Sequence, residues 1–131
     1  GTERVYHHTA PISMNYALHE SLRLVLEEGL QTRWARHKAN HEKLVAGLKK
    51  LRLGIASQEG HQLWQLNAVT VPEETDEAQV RKRLLEKYQI EVGAGLGPMK
   101  GKIWRVGLMG ESSTAENVDR YLDAMTQILA H

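Results

Sequence analysis

Cysteine and phenylalanine are both absent from the 131 residues. The first absence excludes disulfides, thiolate metal sites and cysteine nucleophiles, and it fits a reducing compartment. The second leaves aromatics at only 5%, so Leu, Val, Ile and Met must fill the core. Charge of one sign is also lacking: the formal net charge is +1, which provides no broad basic field for nucleic acid. The cluster Lys49, Lys50, Arg52 is local and suits a solvated helix end near the negative pole of its dipole. No apolar run approaches the ~20 residues of a membrane span, and no signal peptide is evident.

What is present is ordinary for one globular domain, 41% hydrophobic and 25% charged. From Ile12 the apolar residues Met14, Leu18, Leu22, Val25, Leu26 and Leu30 recur at helical spacing. Pro11 suits the first turn, and Gly29 marks a break. A second helix carries Trp34, Leu44, Val45, Leu48 and Leu51 on one side, and its polar middle, 36–43, is expected to face water. Leu66–Val71 alternates as a strand that Pro72 ends. Asp76 with Gln79 caps a helix bearing Val80, Leu84 and Tyr88. Ile90–Val92 and Ile103–Leu108 read as strands. Ser113 with Glu116 reads as a capping box for a last helix whose stripe is Val118, Leu122, Met125 and Leu129. The order predicts an α+β fold: a small, mostly antiparallel sheet with helices on one face.

Four features could carry chemistry. Tyr6-His7-His8-Thr9 places a phenol and a hydroxyl three residues apart before a helix, where both could donate to a phosphate. Gly93-Ala94-Gly95-Leu96-Gly97-Pro98 permits close backbone approach, but its spacing is neither a dinucleotide fingerprint nor a P-loop. It equally suits a plain strand connection. Arg105 stands inside an apolar strand, where it is costly unless it is paired or reaches a wet cleft. If Trp104 and Val106 face one side, Arg105 faces the other with Ile103 and Gly107. The pair His37 and His41 lies at i, i+4 but lacks a third ligand, so two surface histidines and no metal are expected. The adjacent carboxylates Glu27-Glu28 and Glu73-Glu74 read as solvated charge.

Three of these features lie within a longer pattern. Tyr6-His7-His8-Thr9-Ala10-Pro11, then Gly95-Leu96-Gly97-Pro98, then Gly101-Lys102-Ile103-Trp104-Arg105-Val106-Gly107-Leu108-Met109-Gly110 resemble landmarks of alanine–glyoxylate (serine–pyruvate) aminotransferases. These belong to the class V group of fold-type I enzymes that use pyridoxal 5'-phosphate (PLP). The tail Thr114-Ala115-Glu116-Asn117-Val118-Asp119-Arg120 is similar as well, and the resemblance runs over essentially the whole chain.

The resemblance implies a C-terminal portion. Residues 1–28 would be the tail of a large domain plus a connecting helix, and residues 29–131 the small domain. Arg105 would grip the substrate carboxylate. Tyr6 and Thr9 would reach the PLP phosphate of the partner subunit in a homodimer, and Gly95 and Gly97 would belong to a loop at the active-site mouth. The substrates implied are a small amino acid such as alanine or serine and a 2-oxo acid such as glyoxylate or pyruvate. In this family the lysine that carries the cofactor lies upstream of the Tyr-His-His-Thr segment, and none of the lysines here sits in a matching context. The expectation is therefore an isolated chain that binds no PLP and does not transaminate. An opening on Gly1-Thr2-Glu3 fits a processed or cut product. The competing expectation is a non-catalytic binding or assembly module that kept the fold. Neither nucleic acid, membrane nor metal is an expected partner. The compartment expected is the cytoplasm, with peroxisome or mitochondrion open for a eukaryotic source.

Overall fold

The structure, a computed structural model, describes residues 8–130. Four helices and three strands follow in the order α1 (Ile12–Glu28), α2 (Leu30–Lys50), β1 (Leu66–Thr70), α3 (Glu77–Tyr88), β2 (Gly93–Ala94), β3 (Ile103–Gly107) and α4 (Ala115–Leu129). The chain divides into two compact units, one ending at Trp34 and one starting at Ala35.

In the first unit, Pro11 stands one residue before α1 rather than in its first turn, and its carbonyl accepts from Asn15 N–H at 3.0 Å. Gly29, at φ +79°, separates α1 from α2 as expected of a residue without a Cβ. Arg23 bridges Glu20 and Glu27 along the surface of α1. Its hydrogen bond to Glu20 holds that carboxyl below its usual range. Glu28 departs from the solvated reading, because it is half-buried in an ion pair with Arg33 at 2.6 Å. No residue of α1 is buried.

In the second unit the sheet order is β1-β3-β2, antiparallel throughout. The register sets Asn67 opposite Val106, Ala68 opposite Arg105 and Val69 opposite Trp104. Successive strand residues point to opposite faces, so Asn67, Val69, Trp104 and Val106 share the helix-covered face, and all four are buried. The core joins them to Leu44 and Leu48 of α2, Val80 and Leu84 of α3, and Val118, Tyr121, Met125 and Ile128 of α4. Trp104 is fully buried, and its indole N–H donates to the Glu77 carbonyl at 3.2 Å, which satisfies its only donor. The free edge of β1 is covered by 54–56, through Thr70 N–H to the Gly54 carbonyl and Ala56 N–H to the Ala68 carbonyl. The expected α+β architecture, with helices on one face of a small antiparallel sheet, is the one observed.

Several local expectations are corrected. The second strand is Gly93–Ala94 rather than Ile90–Val92, because pairing with β3 begins at Gly93 opposite Arg105. The cap of α4 is Thr114, whose hydroxyl accepts from Asn117 N–H at 3.1 Å. Ser113 is fully buried instead. The α4 stripe runs through Val118, Tyr121, Ala124, Met125 and Ile128, and Leu122 and Leu129 lie at its margin. Asp76 caps α3 as expected, accepting from Ala78 and Gln79 N–H.

The largest correction concerns the polar middle of α2. His37 and His41 are 4% and 6% exposed, and Asn40 is buried beside them. Asn40 donates to the Ser113 carbonyl at 2.8 Å, Arg36 donates to the carbonyls of Gly110 and Ser113, and His41 Nδ1 meets Asn67 Oδ1 at 2.7 Å. Polar residues can be buried there because the turn at 110–113 and β1 supply their partners.

Candidate functional site

The alternation that buries Trp104 and Val106 turns Arg105 to the face of the sheet opposite the Trp104–Val106 core, where it is half-buried at the middle of the central strand. Its Nε–H donates to the Ala94 carbonyl at 2.7 Å. Across the ladder stands Gly93, whose missing Cβ leaves the guanidinium room. Nη1 and Nη2 have no protein partner among the described residues. A half-buried cation with a planar pair of nitrogens that no protein group engages suits a carboxylate bidentately.

The glycine loop closes the β2–β3 connection. Gly95 N–H donates to the Ile103 carbonyl at 3.1 Å, and residues Gly97–Met99 form a single 3-10 turn. Gly95 has a steric reason to be glycine, since a Cβ there would collide with the Met99 carbonyl. Gly97 has a conformational one, at φ +52° with open space around it. Both reasons are structural, and they account for the two glycines without a ligand.

Thr9 is exposed ahead of α1 and belongs to the first unit, whereas Arg105 belongs to the second. Tyr6 lies outside the described residues. Lys100 and Lys102 are exposed in the turn before β3. Among the described residues no group of His, Asp and Glu could hold a metal ion, and no helix is long and apolar enough to cross a membrane.

The sequence singles out Gly93 within its glycine-rich loop, but only the strand register sets it opposite Arg105. The buried polar stripe of α2 is what the sequence reading misses, although its signal is present. His37, His41, Leu44 and Leu48 follow one another at spacings of four, three and four, so the histidines continue the face of the core leucines.

No family model matches the chain. Individual relatives do. It is 40% identical over 126 residues to the (S)-ureidoglycine–glyoxylate transaminase of Bacillus subtilis, covering 96% of this chain and 30% of the relative. It is 36% identical to the alanine–glyoxylate aminotransferase of Mus musculus, covering 100% of this chain and 32% of the relative. The crystal structure of the alanine–glyoxylate aminotransferase from Nostoc sp. superposes with a TM-score of 0.91 at 47% identity, over 98% of this chain and 34% of that one. The chain thus spans about a third of the length of the proteins it matches.

Proposed function

Because this chain belongs to the alanine–glyoxylate type of class V aminotransferases, we propose that it is the C-terminal portion of a PLP-dependent enzyme. That enzyme moves an amino group from a small amino acid, alanine or serine, to glyoxylate or pyruvate. The observation that carries this reading is Arg105. Its guanidinium lies on the sheet face opposite the Trp104–Val106 core, with Nε anchored on the Ala94 carbonyl and both Nη groups without a protein partner among the described residues.

PLP in such an enzyme withdraws electrons from the substrate's Cα, so that a proton can leave it. The donor set of this chain fits the periphery of that group and not its reactive carbon. Tyr6 and Thr9 are hydroxyl donors for the phosphate of the partner subunit's cofactor, a role that rests on the family pattern. No lysine of this chain matches the one that carries the cofactor, and the covalent chemistry belongs to another part of the enzyme. Arg105 acts by binding and orientation. Two parallel N–H···O bonds fix the carboxylate and thereby the direction in which Cα presents its proton. Both donor and acceptor carry a carboxylate beside the reacting carbon, so one arginine serves both halves of the reaction. Gly95 and Gly97 form the loop at the mouth of the site. A homodimer completes the reading.

The test is Arg105→Ala in the full-length enzyme. KM for the amino donor should rise and kcat/KM should fall, while the visible absorbance of bound PLP stays unchanged. Unaltered donor kinetics would remove Arg105 from the site. The isolated chain, given PLP, should neither turn over alanine and glyoxylate nor retain a borohydride-trapped chromophore. Turnover by that chain would sink the division of labour.

A further inference from the structure

We propose that Gly93 is a positioning residue for Arg105, and that together with the Ala94 carbonyl it dictates end-on carboxylate binding through Nη1 and Nη2. The inference rests on the reading of Arg105 as the carboxylate grip. Its basis is a contrast among the three alternate glycines. Gly97 is needed for its left-handed backbone, and Gly95 for the close approach of the Met99 carbonyl. Gly93 has neither reason. Its φ lies outside the left-handed region, so any residue could adopt its backbone. The three atoms nearest to a Cβ at Gly93 all belong to one guanidinium: Nη2 at 3.0 Å, Nε at 3.2 Å and Cζ at 3.3 Å. The space left by the missing side chain is therefore filled by Arg105.

The consequence follows from the donor inventory of arginine. A guanidinium can present a carboxylate either its side edge, Nε with one Nη, or its end, Nη1 with Nη2. Here Nε is committed to the Ala94 carbonyl at 2.7 Å. That leaves the end. A Cβ at Gly93 stands nearest Nη2, one of the two donors in that fork, so it would displace the arm that makes the grip bidentate.

The test is a double-mutant cycle of Gly93→Ala and Arg105→Lys in the full-length enzyme, read as KM and kcat for the amino donor. Losing one charge-assisted hydrogen bond should raise KM about tenfold in the Gly93→Ala variant. Its kcat, PLP absorbance and melting temperature should stay near those of the parent. In the Arg105→Lys background the same substitution should change KM less than twofold, because a lysine has no Nη2 arm to displace. An equal effect in both backgrounds, or none in the parent, overturns the inference. If Arg105→Lys alone leaves KM unchanged, the carboxylate reading itself has failed, which is a different result. Nitrogen-15 spectra of the unsubstituted enzyme provide a check that needs no folded variant. Adding pyruvate should shift the Arg105 Nη signals more than Nε–H, and the reverse order overturns end-on binding.

Discussion

The side-chain oxygen of Asn67 lies 2.7 Å from Nδ1 of His41, and both residues are buried. Asn67 Nδ2 is turned toward the Val106 carbonyl at 3.5 Å, which fixes the amide so that its oxygen faces the imidazole. His41 therefore donates from Nδ1. This pair lies on the helix side of β1 and β3, one register step from Ala68 opposite Arg105. Asn67→Ala would leave a buried ring N–H without its acceptor, at a cost of about 2 kcal/mol. Replacing both partners by leucine should cost less than the sum of the single changes, because neither side then keeps an orphaned polar group. Urea unfolding of the four proteins checks this. Strict additivity would mean that the two residues do not depend on each other.

The turn after β3 is held from α2. Asn40 donates to the Ser113 carbonyl at 2.8 Å and contacts its hydroxyl at 3.2 Å, while Arg36 donates to Ser113 and Gly110 carbonyls. Asn40→Ala removes a donor from a fully buried residue and should destabilise by about 1–2 kcal/mol. Ser113→Ala keeps the carbonyl bonds and should cost less than Asn40→Ala. Thermal melts of the two variants, run side by side, decide the order. A larger loss for Ser113→Ala would place the weight on its hydroxyl.

The glycines of the β2–β3 loop should separate by mechanism. Gly95→Ala forces a Cβ against the Met99 backbone carbonyl, and backbone must move to relieve it. A cost above about 3 kcal/mol, or failure to fold, is expected of such overpacking. Gly97→Ala meets no atoms and bears only the left-handed penalty of about 1–2 kcal/mol. Denaturant midpoints should rank Gly97→Ala well above Gly95→Ala. The opposite rank would mean that the loop relaxes around Met99 more easily than it changes its φ.

These contrasts show which parts of the molecule its sequence discloses. The helices, β1, β3 and the outward turn of Arg105 follow from periodicity, because a buried stripe repeats with the element's own geometry. Asp76 was legible because a cap is a local device. The cap of α4 was misplaced by one residue, since Ser113 and Thr114 are chemically alike and only the partner Asn40, more than seventy positions away in the chain, decides between them. The middle of α2 reads as a solvated face because its residues are polar. The partners of Arg36, Asn40 and His41 come from 110–113 and from β1, and such pairing is a property of the tertiary fold. Gly93 is legible as part of a glycine-rich loop, but its pairing with Arg105 comes only from the register of the folded sheet. The large functional inference came from pattern resemblance, and the geometry then supplied Arg105 with its anchor on Ala94.

Tyr121 offers a last test of the core. It is 4% exposed, it borders a cavity of about 190 Å³ with Val92, Val106 and Val118, and its hydroxyl has no hydrogen-bond partner among the described residues. A buried hydroxyl without a partner is unfavourable by about 1–3 kcal/mol relative to water. Tyr121→Phe removes that oxygen and keeps the ring, so stability near neutral pH should be unchanged or higher, by up to about 1 kcal/mol. The pH dependence follows from the same burial, which pushes the phenol above its ordinary value of 10.0. Above that pH the unfolded chain loses the proton and the folded one keeps it. The unfolded state then binds fewer protons, and stability falls as pH rises. Tyr121→Phe should remove this component, so the variant's advantage should widen from pH 9 to pH 11 in denaturant melts. A variant less stable than its parent at pH 7, or an advantage that stays flat with pH, would show that the hydroxyl is satisfied after all.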